Sequence, residues 1–215
     1  MIIEKNSDFK PVPAGLHLAR CYRIIDLGTQ RSEFEGIIKM QKKIKIVWEV
    51  HGKDEDGTPT VTEKNEPMII SKDYTFSWDD KANLKIDLQS WRSKPFTEEE
   101  QERFVLKSIL DKWCMVNVAH KNRKTGSGVY ANVTTVLPVL PIYKEMGMPK
   151  GHNACGIFQI EDPNMEMFES FGKGIKAKIE LSPEWQARVR HASAPKAEAP
   201  KTGSGFDDMD DDIPF

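Results

Sequence analysis

Lys39, Lys42, Lys43 and Lys45 crowd one short segment, and no acid interrupts residues 36–48. Ammonium groups at that density suit a polyanion, because each is a compact point charge that can sit against a phosphate oxygen. Their spacing carries more information than their number. Ile38, Met40, Ile44, Ile46, Trp48 and Val50 occupy even positions, whereas Lys39, Gln41, Lys43 and Lys45 occupy odd ones, with Lys42 out of phase. Period two predicts a strand over residues 37–50 with its apolar set turned inward and a row of lysines turned outward. An edge strand kept soluble by lysine would show the same pattern.

A second basic group, Lys121, Arg123 and Lys124, lies in the glycine-containing stretch 121–128, and a third stretch, 29–36, carries Arg31 and Phe34. Aromatic side chains are the other requirement for holding unpaired nucleic acid, since a base stacked on a ring contributes about 1–3 kcal/mol. Tyr74, Tyr130 and Phe34 lie near the basic segments and are the stacking candidates. Phe76 and Trp78 share a parity with Met68, Ile70 and Tyr74 and are assigned to the core, as are Trp48 and Trp113. The stretch 51–67 is acidic on balance and unsuited to a DNA path.

Catalytic and metal-binding patterns are weak. No glycine, four residues, then Gly-Lys-Ser/Thr occurs, so a P-loop is excluded. Lys124-Thr125-Gly126 and Ser7-Asp8-Phe9-Lys10 match fragments of a serine-enzyme signature whose remaining piece is missing. His152 and Cys155 are spaced as metal ligands, but no second pair accompanies them. Asp54-Glu55-Asp56 sits in a Gly/Pro-rich stretch. Glu98-Glu99-Glu100 follows a helix-capping threonine, where acids favour the positive end of the helix. The chain is read as non-enzymatic, with no cofactor and no metal.

Elements that would position the basic groups can be read in order. Strands are predicted at 16–27 (ending at Gly28), 37–50, 68–78, 114–120 and 129–137, from β-branched and aromatic enrichment and alternation. Between the third and fourth, Leu84, Leu88 and Trp91 mark a helical face. Thr97 with Glu100 forms a capping box for a second helix, whose stripe is Leu106, Ile109, Leu110 and Trp113. Three strands, a helix and a two-strand hairpin is the chain order of an OB-fold: mainly β, a five-stranded barrel with the helix between strands three and four. In that fold the loops after strands one and four, here 29–36 and 121–128, flank the binding groove on one side. Residues 138–181, broken by Pro138, Pro141 and Pro149, read as an extension packed on the barrel, followed by a short helix opening at Ser182-Pro183-Glu184-Trp185. Residues 1–191 thus form one domain with its extension, 138–191.

Beyond it, residues 192–205 are Ala/Pro/Lys and then Gly/Ser, the composition of a flexible linker. Residues 206–215, Phe-Asp-Asp-Met-Asp-Asp-Asp-Ile-Pro-Phe, hold five aspartates and no basic residue. Without those acids the net charge of −2 becomes +3 for the remainder. Cys21, Cys114 and Cys155 are few and scattered, which fits a reducing, cytoplasmic setting, and no apolar run or leader suggests a membrane.

Asp210, Asp211, Asp212, Ile213, Pro214 and Phe215 resemble the C-terminal tip of bacterial single-stranded DNA-binding proteins. Ser90-Trp91-Arg92, Pro95-Phe96-Thr97-Glu98-Glu99-Glu100, residues 114–120 and Tyr130-Ala131-Asn132-Val133 resemble a phage-encoded OB-fold family of such proteins. The resemblance implies a partner-binding tip, with Phe215, Pro214 and Ile213 entering an apolar pocket on a replication, recombination or repair protein. Asp210 to Asp212 would supply attraction at longer range. The same strip could visit the basic groove and compete with DNA. The body departs from the bacterial barrel in its acidic 51–67 stretch and its helical insert, so the bacterial tetramer is not carried over, and a monomer or dimer is an equal expectation. The alternatives are a strand-annealing or recombination protein and an adaptor that binds no DNA.

Overall fold

The computed structural model describes residues 10–34, 36–53, 56–123 and 128–193. It is mainly β. Strands β1 (Gly15–Phe34), β2 (Ile37–His51), β3 (Met68–Thr75), β4 (Trp113–Asn122) and β5 (Val129–Leu137) form an antiparallel sheet in the order β3-β2-β1-β4-β5. β1 is the organiser. Residues 15–20 pair with β4, residues 18–34 with β2, and residues 23–25 take a short parallel strand, β6 (Gly156–Phe158).

Gly28 does not end β1, contrary to the sequence expectation. It sits at a register shift between Asp26 and Gly28, with φ +67°, and its N–H donates to Asp26 Oδ1 at 2.9 Å. Glycine supplies here the left-handed conformation of a bulge rather than of a turn. A side chain at this position would also collide with Ser182. The stretch 29–34 is therefore strand, and β1 and β2 continue together as a projecting arm.

The inner face of the sheet packs Ala19, Cys21 and Ile24 of β1 against Ile44, Ile46, Trp48 and Val50 of β2, Met68, Ile70 and Tyr74 of β3, and the valines of β4 and β5. Helix α1 (Asn83–Arg92) adds Leu84 and Leu88 to this core. Lys72 of β3 donates to Asp87 of α1 at 2.6 Å and to the Thr134 carbonyl of β5 at 3.2 Å, so a side chain spans the sheet's two outer strands. The described pairings include no backbone ladder between those strands, and the sheet is open there. Thr97 and Glu100 do form a capping box, but helix α2 covers only Glu98–Arg103. Phe104 and Val105 are extended, a 3₁₀ turn spans Leu106–Ile109, and Trp113 already belongs to β4. The single helix expected there is broken because Phe104 turns inward, edge-on to Trp78 at 5.4 Å and to Phe96 at 5.2 Å.

A second core covers the outer face of β1 and β2. Helices α3 (Pro141–Met146), α4 (Met165–Glu169), α5 (Lys173–Glu180) and α6 (Pro183–Ser193) follow β5, with β6 between α3 and α4. Tyr22, Ile25, Leu27 and Val47 bury against Phe158, Ile160, Phe168, Phe171 and Ile179. Each such side chain contributes roughly 1.5–3 kcal/mol of burial. Ser182 caps α6 as its sequence implies, its Oγ accepting from the Trp185 N–H at 3.3 Å, and Glu184 accepts from the Thr29 N–H and hydroxyl.

A buried ion network fixes the other side of this extension. Glu49 is fully buried and accepts from Arg20 Nε at 2.8 Å, from the N–H groups of His152 and Asn153, and from Asn153 Nδ2. Arg20 also donates to Asp111 and to the Asn153 carbonyl. Among the described residues no helix is long and apolar enough to cross a membrane.

Candidate nucleic-acid interface

The lysines of β2 meet two different fates. Lys39 is exposed on the arm, opposite Ser32. Lys43 donates to Thr75 Oγ1 at 2.6 Å and to Gln41 Oε1 at 3.1 Å. Lys45 pairs with Asp73, and Lys178 of α5 reaches the same carboxylate at 2.5 Å. A freely solvated row is therefore corrected: Lys43 is half-buried against β3, and Lys45 lies against α5, a helix the strand pattern gave no sign of. Burial pulls the Lys43 ammonium below the ordinary lysine value, with Asp73 opposing and Lys178 adding to the fall. Burial would push the Asp73 carboxyl up, but Lys178 and Lys45 outweigh it and hold it below the usual range. Between α5 and the sheet is a cavity of about 290 Å³ lined by Lys45, Gly172, Lys173, Gly174, Ile175 and Lys178.

The inward assignment of Ile38 and Met40 is also corrected. They are 53% and 57% exposed, and neighbouring Ile37 is 59% exposed. The reason is the end of β3: its last pair is Thr75 with Lys43, and among the described residues nothing covers Ile37, Ile38 or Met40 beyond it. Arg31 lies there opposite Met40, exposed and paired loosely with Glu33 at 3.4 Å. Phe34 is placed by its backbone, opposite Ile37.

The β4–β5 hairpin does bring its expected residues together. Lys121 sits directly opposite Tyr130, and the Arg123 guanidinium lies 5.0 Å from the Tyr130 ring centroid. Tyr130 is 55% exposed, so an aromatic face flanked by two cations stands in solvent. Lys124 falls outside the described residues. Register separates this hairpin from the arm: β4 runs past Gly15, the start of β1, whereas the arm leaves from the end of β1. The two basic tips flank the sheet from opposite ends of β1 rather than meeting on one side.

Tyr74 is withdrawn as a stacking residue. It is 2% exposed, and its hydroxyl donates to Asp87 at 2.7 Å, burial and that carboxylate raising its pKa far above the ordinary phenol value. Its parity with Met68 and Ile70 already pointed inward. Phe76, by contrast, is 46% exposed beyond the end of β3, while Trp78 packs against Phe96 and Phe104 as a core residue should.

His152 and Cys155 belong to the Arg20–Glu49 network, the first through its N–H and the second through its sulfur, 3.3 Å from Arg20. The helical end of the sheet holds an apolar cavity of about 630 Å³, with Trp91, Phe96, Phe104 and Trp113 in its wall and Arg92, Lys112 and Lys144 as its charged lining. The tip residues Asp210, Asp211, Asp212, Ile213, Pro214 and Phe215 lie outside the described residues. Lys173 and Lys178 are the basic residues that the strand-based expectation missed. Their signal was present in Ile175 and Ile179 at i, i+4, but Gly172 and Gly174 on either side of Lys173 masked the helix within the extension. A scan against protein-family models finds no match for this chain, and a search of curated proteins finds no significant relative.

Proposed function

We propose that the protein binds single-stranded DNA without marked sequence preference and recruits other proteins through its acidic Ile-Pro-Phe segment. Its setting would be replication, recombination or repair of the phage type, in a bacterial cytoplasm. The observation that carries this is the exposed Tyr130 ring between Lys121 and Arg123. A base has a ring to stack on there, and its flanking phosphates have cations to meet. The strand order, with Lys72 reaching from β3 to β5, supports an OB-type barrel as the scaffold. The arm adds Arg31 and Lys39 at the other end of β1. No step of this function asks for a cofactor, a metal or bond chemistry.

An adaptor that binds only proteins is the second reading, favoured by the apolar cavity whose lining charges are all basic. Titrating labelled oligo-dT into the full chain at two salt concentrations separates the two. Binding that weakens steeply with salt is expected, and its absence at low salt would leave the adaptor. Acceleration of complementary-strand pairing would move the function to annealing. Deleting residues 206–215 should abolish capture of a partner that has a basic-rimmed apolar pocket while leaving oligo-dT binding in place.

A further inference from the structure

We infer that the cavity between α5 and the outer face of β2 and β3 is a phosphate site, so that the C-terminal extension forms one wall of the DNA-binding surface. This rests on the single-stranded DNA reading and names residues it did not include. Lys45 of β2 and Lys173 and Lys178 of α5 line the cavity, Asp73 of β3 is the acid shared by Lys45 and Lys178, and Lys43 stands beside the cavity, near enough to feel both Asp73 and Lys178.

Charge balance argues for an anion. A structural ion pair needs one lysine for Asp73, yet Asp73 already holds two, Lys45 and Lys178. The Lys178 ammonium is close enough to Lys43 to disfavour the charge on Lys43. Lys173 is exposed, with no acid within ion-pair distance among the described residues. Two ammonium groups share the one carboxylate of Asp73, with Lys173 on the same cavity wall and Lys43 beside it, so positive charge exceeds negative there, and a bound phosphate would offset the excess.

Access and position agree with the charge. A methyl group built on Gly172 or Gly174 would meet no atom within 4 Å, so the wall is open to an entering group. The volume of about 290 Å³ far exceeds the ~30 Å³ that one water takes in the liquid. The cavity also continues from the arm: Gln30 at the arm's base donates to the Lys178 carbonyl at 2.8 Å, and Lys43 donates to Gln41. A backbone lying along Lys39 would thus pass Lys43 before reaching the cavity. Ammonium groups read no base, so the contribution is affinity without sequence preference.

The test uses the full chain and labelled oligo-dT, comparing Lys173→Ala with Lys178→Ala combined against Lys112→Ala with Lys144→Ala combined. Both pairs remove the same charge, but the second lies at the helical end. Losing two phosphate contacts should lower the slope of log K against log salt by about 1.4, and the control pair should leave it near the wild-type value. Lys173→Ala alone, which breaks no described ion pair, should lower it by about 0.7. An unchanged slope in the α5 variants, or an equal fall in the control, overturns the site while wild-type binding keeps the DNA function. Failure of the wild type to bind at low salt overturns both.

Discussion

The two halves of β2 carry one sequence pattern and live in different surroundings. From Ile44 to Val50 both faces are covered: Ile44, Ile46, Trp48 and Val50 enter the inner core, while Val47 and Glu49 are buried beneath the extension. From Ile37 to Met40 neither face is covered by the described residues, and Ile37, Ile38 and Met40 stand exposed. Alternation assigns residues to faces, but it does not say whether a face has a neighbour. That neighbour is supplied from far away in the chain: Asn153, which closes over Glu49, is 104 residues distant.

Glu49→Ala should be the most damaging change in the covered half. It leaves Arg20, almost wholly buried, without its main counter-charge, and removal of one partner of such a pair costs about 3–5 kcal/mol. Urea unfolding measures it directly; a loss under about 1 kcal/mol would mean that the extension does not close over β2. The pH dependence has a definite sign. Burial would raise the Glu49 carboxyl, but Arg20, Asn153, His51 and His152 together hold it well below its ordinary value. A depressed carboxylate contributes stability that is full above its unfolded value of about 4.3 and is lost as the pH falls toward the folded value. The advantage of wild type over Glu49→Gln should therefore be constant near neutrality and shrink below about pH 4.

Phe168→Ala tests the same covering layer from its apolar side. Phe168 stacks on Trp185 at 4.6 Å and lies 5.8 Å from Phe158, so truncation should cost about 3 kcal/mol, near the lower end for a buried ring because its neighbours can close in. Limited proteolysis should then cut within 159–193 before the sheet itself. Unchanged protection there would make the extension a loose appendage.

Much of this division was open to sequence reading, and the failures have physical causes. β2 and β5 are legible because they are rich in β-branched residues with no glycine or proline to interrupt them. Gly28 is misread because a positive φ serves a turn and a bulge equally, and only the close approach of Ser182 distinguishes them. Leu106, Ile109, Leu110 and Trp113 repeat at helical spacing, yet a cluster of Trp78, Phe96 and Phe104 captures the chain before a helix can run through. Of the site, the Lys121–Arg123–Tyr130 grouping follows from hairpin register. The placing of Lys45 beside Lys178 does not, because it depends on α5, more than a hundred residues away.

Gly28→Ala probes the boundary between the halves. A non-glycine residue in the left-handed region, with Ser182 already in the way, should cost about 1–3 kcal/mol and loosen the arm from α6. Thermal melting gives the loss, and exchange of the Thr29 amide, now held by Glu184, reports the loosening. A neutral result would place the bulge elsewhere.

The smallest effect on stability is expected in the arm, and there it is the most informative. Ile38→Ser with Met40→Ser removes apolar side chains that are more than half exposed, so unfolding free energy should move by no more than about 0.5 kcal/mol per site. Two apolar groups kept in water on an arm that also presents Arg31 and Lys39 gain little from the fold. Under the proposed function, flat bases pack on these side chains while Lys39 meets a phosphate. Oligo-dT affinity should fall severalfold in this variant at unchanged melting temperature. If affinity and stability are both untouched, the arm is not part of the DNA path, and the interface contracts to Tyr130 and the cavity under α5.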